Sequence, residues 1–170
     1  AMLAAARRSV PFLTESAAGE FRYHDMFRDF LENELVRSGR PRWLAALRAG
    51  AGILEARGDQ AAALLMYARA SDAGAIVRIV EHSGLALFER GETEPLRVAI
   101  SALPDERKSA SALVQGMRAM LEAGRGHFEV AEPAFLAAID RSSDPEVRLR
   151  LVHRYAVELV RFGRDCIELL

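Results

Sequence analysis

Within the stretch EFRYHDMFRDFL, residues 20–31, a histidine and an aspartate stand side by side where an alternating run gives way to a helical one. Phe21 and Tyr23 alternate with polar neighbours, as in a strand; Met26, Phe27, Phe30 and Leu31 then recur at helical spacing. The chemistry open to such a pair is anion binding. A helix beginning at Met26 presents free backbone N–H groups and the positive end of its dipole, which together stabilise phosphate. His24 stands beside that end, and Asp25 can cap the free N–H groups. The alternative is a purely structural junction, in which Asp25 caps and His24 packs or bonds a carbonyl.

The other candidate residues form no catalytic constellation. His82, His127 and His153 show neither HExxH nor zinc-finger spacing, so no metal site is expected. His82 and His153 fall on the first helices of predicted helical pairs, where they can line a ligand groove or simply meet solvent. His127 follows a turn glycine and is expected to face solvent or to cap. Cys166 is the single cysteine, which excludes an internal disulfide and suits a packing role rather than a nucleophile. No serine sits in a G-x-S-x-G turn. Carboxylates neighbour arginines, as in Glu89/Arg90 and Glu146/Arg150, the pattern of a solvated helix face. Catalytic residues: none; the chain is not expected to be an enzyme.

The totals bound the rest. At 170 residues with 51% apolar composition, the chain can bury a substantial core. Aromatics are only 7% and alanine is abundant, which favours closely packed helices. A net charge of −1 draws the chain to neither nucleic acid nor anionic lipid. No apolar run reaches the roughly 20 residues that span a bilayer. Arg37, Arg40, Arg42 and Arg48 cluster locally, with interdomain contact or solvation the expected role. The apolar end of the chain, FGRDCIELL, suggests a fragment of a longer protein.

Two regions emerge. Residues 1–38 read as a short helix (LAAARR), a hairpin made of VPFLTE and EFRYH joined by SAAG, and a helix over about 26–36. From 41 to 170 everything reads as helix. There, Gly58, Gly91, Gly126 and Gly163 end amphipathic runs at spacings of 33, 35 and 37. Seven residues before each glycine stand Ala51, Gly84, Ala119 and Ala156, all small; eleven before stand Leu47, Val80, Gln115 and Val152. Five, nine and twelve after the first three glycines stand Ala63, Tyr67 and Ala70; Leu96, Ile100 and Leu103; Ala131, Phe135 and Ala138. Small residues let paired helices approach and bulky ones plug the space to the next pair, so stacking is required. Glu122 departs from the apolar pattern, Pro133 is expected near the first turn of its helix, and Asp144 or Ser143 is expected to cap the helix after SSDPE.

This register resembles the tetratricopeptide repeat, best in GHFEVAEPAFLAAIDRSSDP, over about residues 41–170. FRYHDMFRDFLENEL in turn resembles the end of the winged-helix domain of STAND-type signalling ATPases, in the MalT-like, LuxR-family ATP-dependent transcription regulators. RIVEHSGLALFERGETEPLRVAISALP resembles their early repeats. The resemblance implies a mainly α fold. It would comprise a partial winged-helix element with a β-hairpin (1–38), then a tetratricopeptide-like α–α superhelix (41–170) of about four helix pairs, the last truncated. It implies that His24 is nucleotide-sensing, meeting the β-phosphate of ADP, with Asp25 steadying the turn. ATP/ADP is implied for the longer protein and no cofactor for this piece, because no G-x-x-x-x-G-K-[ST] loop occurs. It implies a cytoplasmic sensor whose repeats bind a protein or small-molecule inducer, with possible self-association, no membrane contact, and DNA contact only through a further C-terminal domain. A stand-alone repeat adaptor that binds protein is the alternative.

Overall fold

The computed structural model describes residues 13–15 and 21–164. The LAAARR helix, the SAAG connection and Cys166 lie outside them. Contacts divide the chain into two compact units, Ala1–Ala46 and Leu47–Leu170, with the division inside a helix rather than at the 38–41 break read from sequence.

In the first unit, strands β1 (Leu13–Glu15) and β2 (Phe21–Tyr23) pair antiparallel, Leu13 opposite Tyr23 and Glu15 opposite Phe21. Helix α1 (Asp25–Arg37) follows at once. Arg37 closes back onto Glu34 at 2.7 Å, and Gly39 turns the chain with φ 112°. That turn opens α2 (Arg40–Ala56), which runs into the second unit.

The described residues of the second unit are helical apart from turns. After α2 come α3 (Gln60–Arg69), α4 (Ala73–Glu89) and α5 (Thr93–Ser101). Then come α6 (Asp105–Ala110), α7 (Ala112–Gly124), α8 (Phe128–Arg141) and α9 (Pro145–Arg161). The chain is mainly α, as expected. The short α6 was not foreseen: Pro104 cannot continue α5, and extended Ser111 (φ −107°, ψ 120°) ends α6 while capping α7.

The turns form as their residue types require. Gly58, Gly91, Gly126 and Gly163 all have positive φ, at 84°, 79°, 86° and 67°. At each, the N–H of the next residue reaches back to the fifth carbonyl before it: Asp59 to Leu54, Glu92 to Leu87, His127 to Glu122, Arg164 to Leu159, at 2.8–3.0 Å. This closure satisfies carbonyls that the helix end would otherwise orphan. Ser71, with φ 52°, makes the same turn between α3 and α4, where Asp72 N–H donates to Tyr67 C=O at 3.0 Å. The helices start on side-chain caps: Asp59 accepts from Ala62 N–H at 3.0 Å, Asp72 from Ala75 N–H at 3.1 Å, and Ser111 from Val114 N–H at 3.2 Å. Of the two caps expected for α9, Asp144 serves, accepting from Glu146 N–H at 2.9 Å.

Pro133 does not sit in the first turn. His127 is the N-cap of α8, which places Pro133 mid-helix and leaves the Glu129 carbonyl without its usual N–H donor. Both residues are exposed, so water reaches the gap.

The small-large-small positions are the core. Ala51, Ala63, Ala70, Leu96, Ala119, Ala131, Phe135 and Ala138 are all 0% exposed. Burying a side chain such as Phe135 contributes about 2–3 kcal/mol. Contacts run between successive pairs: α3 touches α4 and α5, α4 touches α5 and α7, and α7 touches α8 and α9. Glu122, the departure, stays half-buried and bonds His127 Nδ1 at 2.9 Å.

A Cβ added at Gly126 would meet nothing within 4 Å, so Gly126→Ala isolates the left-handed backbone. The strain outweighs the entropy the alanine removes from the unfolded chain, and a loss of about 1 kcal/mol is expected. Urea titration checks it: the midpoint falls while the slope stays constant.

Candidate functional site

Helices α4, α7 and α9 line a cavity of about 260 Å³ in the second unit. Its apolar lining is Val80 and Leu85 from α4, Leu113, Met117 and Met120 from α7, and Leu151 from α9. His82 and His153, separated by 71 positions in sequence, meet in this one groove. Charged residues divide by helix: Glu81 and Glu89 on α4, Arg150 and Arg154 on α9.

Gly116 shapes the floor. A Cβ there would stand 2.2 Å from Leu151 Cδ2, so the missing side chain is what lets α9 seat Leu151 against α7. On the α4 wall, Glu81 accepts from Ser111 Oγ at 2.7 Å, which ties that wall to the start of α7. His82 Nδ1 donates to the Arg78 carbonyl at 3.1 Å, one turn back.

The α9 wall is built on a buried carboxylate. Glu158 is 1% exposed and holds Arg154 at 3.4 Å and Arg161 at 3.5 Å. Arg154 also lies over the Phe88 ring, 5.1 Å from its centroid. Its Nε is buried with no acceptor among the described residues; Gln115 Oε1 is likewise buried without a donor. Arg150 bonds Glu146, the pairing read from sequence. The other pairing read there is replaced: Arg90 reaches Glu92 at 2.6 Å, and Glu89 lines the groove. Helical neighbours one residue apart point in different directions, whereas the turn brings Glu92 back to Arg90.

Two long-range clasps flank the array and had no sequence signal. Glu55 takes a bidentate bond from Arg78, with Nη2 at 2.9 Å, and accepts from Tyr67 O–H at 3.1 Å. The Arg78 guanidinium therefore holds the Glu55 carboxyl below its ordinary range. Tyr155 donates to Glu132 at 2.9 Å, with Arg164 3.6 Å from the same carboxylate. Burial, then the bond to Glu132, pushes the Tyr155 phenol up to about 12.

The His24 site lies in the first unit. His24, with φ −55° and ψ 139°, is itself the N-cap of α1, and its carbonyl accepts from Phe27 N–H at 2.9 Å and Arg28 N–H at 3.0 Å. Asp25 is therefore not the cap: it is the first helical residue, and its carboxylate pairs with Arg28 at 3.0 Å. The His24 side chain makes no capping hydrogen bond. The His24 ring is exposed beside Met26, Phe27 and Phe30, which surround a shallow apolar hollow. Of the basic cluster, Arg48 is engaged with Asp72 at 3.2 Å.

No group of three or more metal-ligating side chains occurs among the described residues. No helix among them is long and apolar enough to cross a membrane. No protein-family model matches the chain, nor do the curated proteins or solved structures give a match.

Two outcomes follow. Gly116→Val would drive a branched side chain into Leu151, and a loss of roughly 2–3 kcal/mol is expected by thermal or urea unfolding. Tyr155 holds its proton more tightly folded than unfolded. Its contribution is complete below about pH 10, the ordinary tyrosine range, and disappears as pH rises through about 12. Tyr155→Phe should flatten the fall in stability across that window, read from urea midpoints against pH.

Proposed function

We propose that the helical array is a tetratricopeptide-like superhelix that receives a ligand in the groove between α4, α7 and α9. It would follow the end of a winged-helix element, the two forming the sensing region of an ATP-dependent LuxR-type transcription regulator. The observation that carries this reading is the groove. Its apolar floor and convergent polar groups, His82 and His153 among them, are the usual make-up of a binding site. The glycine register and the resemblance of FRYHDMFRDFLENEL to the nucleotide-binding family supply the regulatory half.

In this reading the chain catalyses nothing and works in the cytoplasm. An inducer or protein partner fills the groove, and the difference in its affinity for two states shifts the nucleotide-bound resting state. His24 meets the β-phosphate of ADP beside the free N–H groups of α1, and Asp25, paired with Arg28, steadies that turn. DNA contact falls to a further C-terminal domain, and self-association is open to the array.

A second reading is a stand-alone adaptor that binds protein. It is favoured by the fact that the groove is complete within residues 80–154 and uses nothing from the first unit.

Nucleotide binding separates the two. In the protein as its gene encodes it, ADP titrated by calorimetry should bind at least tenfold more weakly after His24→Ala. Equal affinity removes the sensing role, and absence of ADP binding in the parent protein leaves the adaptor.

A further inference from the structure

A second cavity, of about 730 Å³, is lined by the start of α5, the end of α7 and the end of α9, with Phe88 of α4 among them. It shares no lining residue with the groove between α4, α7 and α9. Among the described residues, three arginines line it, Arg97 on α5, Arg125 just after α7 and Arg161 on α9, against a single carboxylate, Glu94. The lining therefore holds two positive charges in excess, in a chain whose net charge is −1.

The three cations are not equally engaged. Arg97 is committed to Glu94, with Nε at 2.8 Å. Arg125 stands 3.8 Å from Glu122, whose carboxylate is already bonded to His127 at 2.9 Å. Arg161 stands 3.5 Å from Glu158, which also serves Arg154 at 3.4 Å. A charge-assisted N–H to carboxylate bond is about 2.7–2.9 Å long, so Arg125 and Arg161 each share a carboxylate at more than bonding distance. Neither Glu122 nor Glu158 lines the cavity. Both guanidinium groups are also more than half exposed, which leaves their donors open to a ligand.

We infer that this cavity is an anion site for a small phosphate monoester with an apolar body. It is a second site, and it does not depend on what fills the groove.

Charge and shape select the class. A phosphate monoester carries about −1.5 to −2 at neutral pH, which matches the excess of two, whereas a monocarboxylate or a sulfate ester would offset only half of it. Guanidinium forks fit the oxygens of a phosphate. Phe88 and Leu121 supply an apolar surface, and Gly124 leaves it open: a Cβ there would stand 3.8 Å from Phe88 Cζ. The volume falls within the roughly 300–1,000 Å³ of small-molecule sites, so the phosphate is assigned to a free small molecule rather than to a modified protein.

Calorimetric titration of the chain with phenyl phosphate tests this, with phenyl sulfate and inorganic phosphate as comparisons. Phenyl phosphate should bind about fivefold tighter than either, because the sulfate ester has half the charge and the inorganic ion has no apolar body. Arg125→Gln should weaken it about fivefold, and Glu94→Gln should tighten it by a similar factor by removing the one carboxylate and releasing Arg97. Both residues are exposed, and the gain expected from Glu94→Gln cannot come from a damaged fold. Equal binding of phenyl sulfate overturns the phosphate assignment. Affinity unmoved by Arg125→Gln and Glu94→Gln, but lost in His24→Ala, overturns the site and places the anion at α1. A phosphotyrosine hexapeptide that binds tighter than phenyl phosphate overturns the small-molecule assignment. No binding of phenyl phosphate overturns the inference outright.

Discussion

Close approach between helices is the constraint on which the second unit rests. Ala51, Gly84 and Ala119 stand seven residues before their turns and are buried, and at Gly84 the side chains of Met117 from α7 and Leu96 from α5 come within 3.2 and 3.9 Å of where a Cβ would stand. Tyr67, Ile100 and Phe135, nine residues after theirs, are buried as well, and Phe135 stacks on Tyr155 of α9 with ring centroids 5.4 Å apart. A hairpin alone would leave one of these faces in water, so the units stabilise one another. The groove is a product of the same rule. Because Gly116 carries no side chain, Leu151 seats against α7, and α9 brings its arginines to a cavity whose other wall is α4.

Polar groups inside this array are held in clasps that join one hairpin to the next. Glu55 of α2 receives Tyr67 of α3 and Arg78 of α4, so one carboxylate ties three consecutive helices. Glu132 plays the same part for Tyr155 and Arg164. Glu158 differs, since it occupies the place that Leu121 fills one unit earlier and is as fully buried. A carboxylate there requires nearby cations to offset its desolvation. Arg154 and Arg161 supply them, and Arg154 thereby becomes a rigid wall of the groove.

The first unit follows a different logic. Helix α1 buries none of its residues, and its aromatic side is a local cluster of Tyr23, Phe27 and Phe30 with ring centroids 5.4 and 6.2 Å apart. Its start is held by the His24 carbonyl rather than by the His24 side chain. That leaves the imidazole exposed at the start of the helix, beside Met26, Phe27 and Phe30.

The sequence by itself determined the helical class, the four glycine turns and most of the buried set, while the turn at Ser71 and the short α6 went unread and Gln115, Val152 and Ala156 stay half-buried. Glycine's freedom at positive φ and the 3.6-residue period act locally, and both are written in residue type. His24 and Asp25 were legible as a junction, but the cap position falls to His24, whose side chain makes no cap bond, and Asp25 becomes the first helical residue, because which residue is the cap depends on where the backbone leaves helical angles. Pro133 moved from the first turn to mid-helix for the same reason, once His127 became the cap. Only the tertiary structure decided that His82 and His153 share a groove, that Glu89 faces it instead of pairing with Arg90, and that Glu55 bonds Arg78. Those relations join residues far apart in the chain, or choose between directions around one helix, and they arise only when hairpins pack at a distance set by missing side chains.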